Sequence, residues 1–171
     1  MISPSGKLED LRRRIADRNA PALPPESVEY LAVSPSEDNF DLHFFGSCWG
    51  ENLESLLEVL GDPDIAARLR SLTLDGPDEG ANGTQNWSLA PLDSGNVEFP
   101  SLEALSIRQL RPGDHNRPVI ANVFDEDGML ARFLGSAPVI QSITVPSAPD
   151  SAFFALGERP IRFMSVDAGY D

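Results

Sequence analysis

One spelling recurs four times along this 171-residue chain: apolar, two others, apolar, one other, apolar. It reads Leu69-x-x-Leu72-x-Leu74, Leu102-x-x-Leu105-x-Ile107, Ile140-x-x-Ile143-x-Val145 and Ile161-x-x-Met164-x-Val166. A weaker first copy is Val28-x-x-Leu31-x-Val33. Start-to-start intervals are 41, 33, 38 and 21 residues. Each copy reads as a short strand with one apolar edge, and such a strand cannot bury that edge alone. Stacking successive strand–crossover units builds one continuous core. Crossovers of a dozen or more residues are what parallel strands require. The expectation is that strands 69–74, 102–107, 140–145 and 161–166 lie side by side, parallel, in chain order.

The segments between the copies fit that scheme. Leu8, Leu11 and Ile15 recur at helical spacing over residues 5–18, with Ser5 as a cap. Ala20-Pro21-Ala22-Leu23-Pro24-Pro25 is a stiff extended linker. Val28–Val33 and Phe40–Phe45 flank a turn cluster and read as a hairpin. Glu51 to Leu60 is a helix with Leu53, Leu56, Leu57 and Leu60 on one face, stopped at Gly61-Asp62-Pro63. Residues 75–99 and 111–118 read as loops. Asp125 to Leu134 is a helix with Met129, Leu130, Phe133 and Leu134 inward, and Asp150 to Leu156 holds at most two turns.

On the strength of the four copies, residues 50–171 resemble the leucine-rich repeat family, specifically its irregular bacterial members. The resemblance implies an α/β fold: an irregular leucine-rich-repeat-like solenoid of stacked parallel strands. Residues 1–49 would be an N-terminal helix, Pro-rich linker and capping hairpin. The family usually sets Asn or Cys three positions after the last strand apolar residue; here Pro77, Leu110, Ala148 and Gly169 stand there. The open strand face is the family's usual binding face. By the two-residue period it would present Thr73, Ser106, Thr144 and Ser165 as one hydroxyl column. Asp75, Arg108, Phe163 and Asp167 would be its distinctive contacts, with Asp171 beyond them at the same end.

Charge narrows the choice of partner. The chain has 27 acidic residues against 13 basic ones, a net charge of −14. Residues 1–18 hold five bases and three acids, so 19–171 carry 8 bases and 24 acids, a balance of −16. Nucleic acid and anionic membranes need clustered Lys and Arg, so neither is expected. A basic protein is the expected partner. No apolar run reaches the ~18 residues of a membrane span, and the lone Cys48 leaves no intrachain disulfide. A cytoplasmic location is expected.

Chemistry is thin. His115, beside Asp114 in a Pro/Gly loop, has no nucleophile elbow to serve. Cys48, flanked by Gly46 and Gly50 and next to Trp49, reads as a buried thiol, although a helix N-terminus could activate it. Asp125, Glu126 and Asp127 favour a helix start and lack calcium-loop spacing. The acidic loop from Asp75 to Gly80 reads as solvated. Arg12, Arg13 and Arg14 read as a solvated face or as intramolecular partners of the acidic body. Trp87 reads as core or loop-pinning. The resulting expectation is a non-enzymatic protein-binding module without cofactor or metal. Its most concrete form is an acidic inhibitor that sequesters a basic partner, as a bacterial immunity protein does a toxin. The alternative is a scaffold repeat domain from a longer protein. The edge at 161–171 is expected to lie in, or beside, a protein–protein interface, with a basic partner favoured over self-pairing because Asp167 and Asp171 stand at this end.

Overall fold

A computed structural model describes residues 4–19, 28–48, 50–76, 83–92, 97–108, 116–120, 128–145, 151–155 and 157–166. The chain opens with helix α1 (Pro4–Arg18), then strands β1 (Tyr30–Ser36) and β2 (Asn39–Phe45). Helices α2 (Glu51–Leu60) and α3 (Pro63–Ala66) precede β3 (Leu69–Asp75) and β4 (Gly83–Trp87). A 3-10 turn at Ala90–Leu92 leads to β5 (Ala104–Ile107) and β6 (Asn116–Ile120). The chain ends with α4 (Met129–Gly135), β7 (Ser142–Val145), α5 (Ser151–Phe154) and β8 (Phe163–Val166). The fold is mixed α/β. Its main sheet has six strands in the order β1-β2-β3-β5-β7-β8 and is open; only β1–β2 is antiparallel.

The four copies therefore stand side by side, parallel and in chain order, as their spelling predicts. Their registers coincide: Leu72 faces Leu105, Leu105 faces Ile143, and Ile143 faces Met164. The two residues between the first two apolar positions have a shared backbone role. The Glu103 N–H donates to the Arg70 carbonyl, Gln141 to Glu103, and Arg162 to Gln141, each at 2.8 Å. The next N–H along, at Ser142 and Phe163, donates to the same Glu103 and Gln141 carbonyls at 3.0 Å. In β5, β7 and β8 the strand accordingly starts two residues after the first apolar residue of its copy, whereas β3 starts on Leu69 itself.

One repeat copy takes a different role and two expectations are corrected. First, the weaker copy at Val28–Val33 lies in the expected hairpin and not among the parallel strands. Only Glu37 and Asp38 separate β1 from β2, far too few for a parallel crossover, so β1 folds back antiparallel and β2 takes the place beside β3. Second, the segments read as loops carry β4 and β6, which pair in parallel as a separate two-stranded sheet. Third, the helix expected from Asp125 begins at Met129, because Gly128 sits at φ 77°, a left-handed conformation that no helix continues through. Asp125, Glu126 and Asp127 lie outside the described residues, as do the linker at 20–25, Trp49, Asp114, His115, and Pro77, Leu110, Ala148 and Gly169.

One core joins the whole. Leu8, Leu11 and Ile15 of α1, the leucines of α2, and Met129, Leu130, Phe133 and Leu134 of α4 pack with the inward strand rows. Trp87 is in that core, edge-on to Phe44 at 6.4 Å. Leu72, Leu105 and Ile143 form the expected buried row, but Met164 does not complete it. Met164 is 37% exposed, because β8 is the edge strand of the sheet among the described residues.

The turn after β2 is fixed by polar contacts. The Glu29 carboxylate accepts from the Ser47 N–H at 2.6 Å and from the Asn52 side chain. The buried Asn52 in turn accepts from Arg18 at 2.7 Å. Cys48 lies buried within this turn. Its labelling by a thiol reagent is expected to be slow in the native protein and fast after unfolding. Rapid native labelling would show that the turn opens or that the thiol is activated.

Candidate functional site

The helices contribute their apolar faces to one side of the sheet, and the other side faces outward. Asp41, His43, Ser71, Thr73, Ala104, Ser106, Ser142 and Thr144 are all half-buried on that outer side, while their strand neighbours are buried. A parallel sheet in a doubly wound protein is covered on both faces; among the described residues, helices pack on one face of this sheet alone. The register sets His43, Thr73, Ser106, Thr144 and Ser165 in one row, so the expected hydroxyl column exists and has His43 at its head.

Two ion-paired clusters border the column. At the start of the strands the β2–β3 register shifts between Phe40 and Asp41, leaving Arg70 as an extra residue in β3. The bulge lets Arg70 and Ser71 reach the same carboxylate. Arg70 Nε donates to Asp41 at 3.0 Å and Ser71 Oγ donates to it at 2.8 Å. The Arg70 contact holds the Asp41 carboxyl below the usual carboxylate range; burial opposes this and Ser71 assists. The Asp62 carboxyl is lowered likewise, chiefly by Lys7.

A lowered folded-state pKa adds stability that is present above the unfolded value near 4 and fades as pH falls through the folded value. Asp41→Asn is therefore expected to cost about 1 kcal/mol at pH 7, the scale of a partly exposed ion pair. Urea midpoints should converge with wild type as pH drops below ~3, where the carboxyl protonates. A gap that persists at low pH would assign the cost to packing rather than charge.

At the other end of the strands, Asp75 accepts from Arg108 Nη2 at 3.1 Å, and its second oxygen lies 2.9 Å from His43 Nε2. Tyr30 stacks on Phe45 with ring centroids 5.3 Å apart and meets His43 edge-on at 5.2 Å. Burial raises the Tyr30 hydroxyl pKa, and the Asp75 charge adds to the rise. Tyr30 and Arg108 remain exposed, whereas Asp75 is only 4% exposed.

Of the expected contacts, Asp75 and Arg108 thus come together as an ion pair. Asp75 works from beneath, by fixing His43 and Arg108, and is not itself a surface contact. Phe163 is 55% exposed on the same face but two strands away from β5. Asp167 and Asp171 lie outside the described residues. Tyr30, His43 and Phe45 are members of the site that reading the hairpin as a mere cap passed over. Their signal was available: the alternation Phe40-Asp41-Leu42-His43-Phe44-Phe45 puts Asp41, His43 and Phe45 on the face opposite Leu42 and Phe44.

The arginines of α1 are used within the chain. Arg12 pairs with Glu9 at 2.7 Å, Arg13 and Arg14 reach Asp10, and Arg18 reaches Glu51 at 3.5 Å. No group of three His, Cys, Asp or Glu side chains among the described residues is placed to hold a metal ion. No described helix is long and apolar enough to cross a membrane. Comparisons with protein-family models, curated proteins and solved structures found no match to this chain.

Proposed function

We propose that this chain is an irregular leucine-rich-repeat-like solenoid whose outer sheet face binds a protein, and that it acts without catalysis as an acidic inhibitor of a basic partner. The observation that carries this reading is the uncovered face. A row of small hydroxyl side chains, half-buried and in register, runs between two charge-neutral ion-paired clusters, with Tyr30 and Arg108 exposed at one end. Interface centres are depleted in net charge and favour Tyr and Arg. Acidic side chains border this platform: Glu37, Asp38 and Glu103 are exposed just ahead of β2 and β5. Rim charge of this kind speeds encounter, and the neutral centre sets the dissociation rate. The repeated backbone pattern at Arg70, Glu103, Gln141 and Arg162 supports the solenoid part of the reading. Immunity-type sequestration of a toxin is the most concrete case.

The test is capture of the partner from the source cell, followed by measurement of its association rate. A single basic protein whose association slows several-fold as salt rises supports the reading, because screening removes long-range attraction. An acidic or neutral partner, or a rate indifferent to salt, overturns it.

A further inference from the structure

The two edges of the main sheet are built differently. At one end, Pro35 removes a backbone donor from β1, and α1 packs against that strand. At the other end, Ile161–Val166 contains no Pro, no Lys and no acidic residue. Both inward rows run out there. Leu74, Ile107 and Val145 are fully buried, yet Val166 in the same row is 36% exposed, as Met164 is in its own. The Phe163 N–H donates to the Gln141 carbonyl at 3.0 Å, so by the alternation of a parallel ladder Met164 and Val166 turn their N–H and C=O groups away from β7.

We infer that β8 is a homodimer interface, in which two copies pair their β8 strands antiparallel about a two-fold axis through Ser165 and continue the sheet. Charge selects a second copy over a basic partner. In a chain of net charge −14, residues 157–166 hold Glu158 against Arg159 and Arg162. Two copies meet here without opposed carboxylates, and a basic surface finds none on β8 to pair with. The sequence-based preference for a basic partner at this edge rested on Asp167 and Asp171, and β8 itself has the opposite character. The outward groups fix the register, because only Met164 and Val166 can exchange hydrogen bonds across the axis. Met164 then faces Val166 of the second copy twice, on the core side, extending both buried rows. Ser165 faces Ser165 on the outer side. Pairing Met164 with itself would instead set Val166 against Arg162.

Sedimentation of the whole protein over ~1–300 µM tests this, since dimer population follows protomer concentration. The expected result is conversion from the 18.6 kDa chain to twice that mass. Higher salt should strengthen the dimer, because it screens the repulsion between two acidic bodies. The double variant Met164→Lys/Val166→Lys, at positions already one-third exposed, should remain folded by circular dichroism and stay monomeric. Ser165→Cys should form a reducible intermolecular disulfide. A non-hydrogen-bonded pair brings its Cα atoms to about 4.5 Å, within disulfide range, and the buried Cys48 of the wild type should form none. A protein that stays monomeric throughout, a dimer that survives the double lysine variant, or a Ser165→Cys protein that does not cross-link overturns the proposal.

Discussion

Truncating Leu105 to alanine is expected to lower the stability of the protein by about 2–5 kcal/mol, the cost of a cavity at a fully buried leucine. Leu105 is 1% exposed and sits between Leu72 and Ile143, which are both buried. Its side chain is held by neighbours from two strands, so the hole left by truncation cannot close by moving one of them. Met164→Ala at the end of the same row, measured at a concentration where the chain is monomeric, is expected to cost under ~1 kcal/mol, because Met164 there faces solvent on one side. The contrast matters more than either value. Equal losses at Leu105 and Met164 would mean that β8 is covered in the monomer. No movement of the denaturant midpoint for Leu105→Ala would take that residue out of the core.

The second large effect is expected at Gly76. A Cβ built there would lie 2.3 Å from the Gly46 carbonyl oxygen and 3.3 Å from the Trp87 ring. The first obstacle is backbone. It cannot rotate away, because the Gly46 N–H is held by the Asp75 carbonyl at 3.0 Å. Gly46 has no room to retreat either, since its own side is closed by Phe44 and by the Glu29 carboxylate that anchors the turn. Gly76→Ala is therefore expected to cost about 3 kcal/mol, at the upper end of overpacking changes. Thermal melting would register this as a clear drop in midpoint. A variant that melts with wild type would show that β2 and β3 part easily at their ends, which would undo the rigid placement of Asp75, His43 and Arg108.

The repeated strands were legible because each copy carries its own apolar spelling, and a period-two pattern survives whatever the rest of the chain does. Their order was legible because every intervening segment is long enough to cross over and none is long enough to need another route. The hairpin was legible from its alternation and turn residues. What stayed hidden depends on distant partners. Gly83–Trp87 and Asn116–Ile120 have no alternation, and β6 contains Pro118; they are strands because they lie beside each other once the main sheet has brought their crossovers together. The false first copy at Val28–Val33 shows the limit of spelling: the length of the following connection decides parallel against antiparallel, and that length had to be weighed with the pattern. In the site, strand parity placed Asp75 and Arg108 on one face. It could not show that Asp75 is buried, because the covering groups, Tyr30 and His43, come from more than 30 residues upstream.

If the outer sheet face is the binding surface, Ser106→Arg blocks it at its centre. Ser106 lies in the middle of the hydroxyl column, facing Thr73 on one side and Thr144 on the other. It is half-buried and away from the core, so a long side chain there projects outward without disturbing the fold. The measurement is the affinity of the captured partner for wild type and for this variant, with melting curves run beside it. An unchanged melting temperature with at least a tenfold loss of affinity, about 1.4 kcal/mol, is the predicted result. Unchanged affinity with unchanged melting would place the partner elsewhere on the molecule, because a guanidinium at the centre of a docked face cannot be passed over.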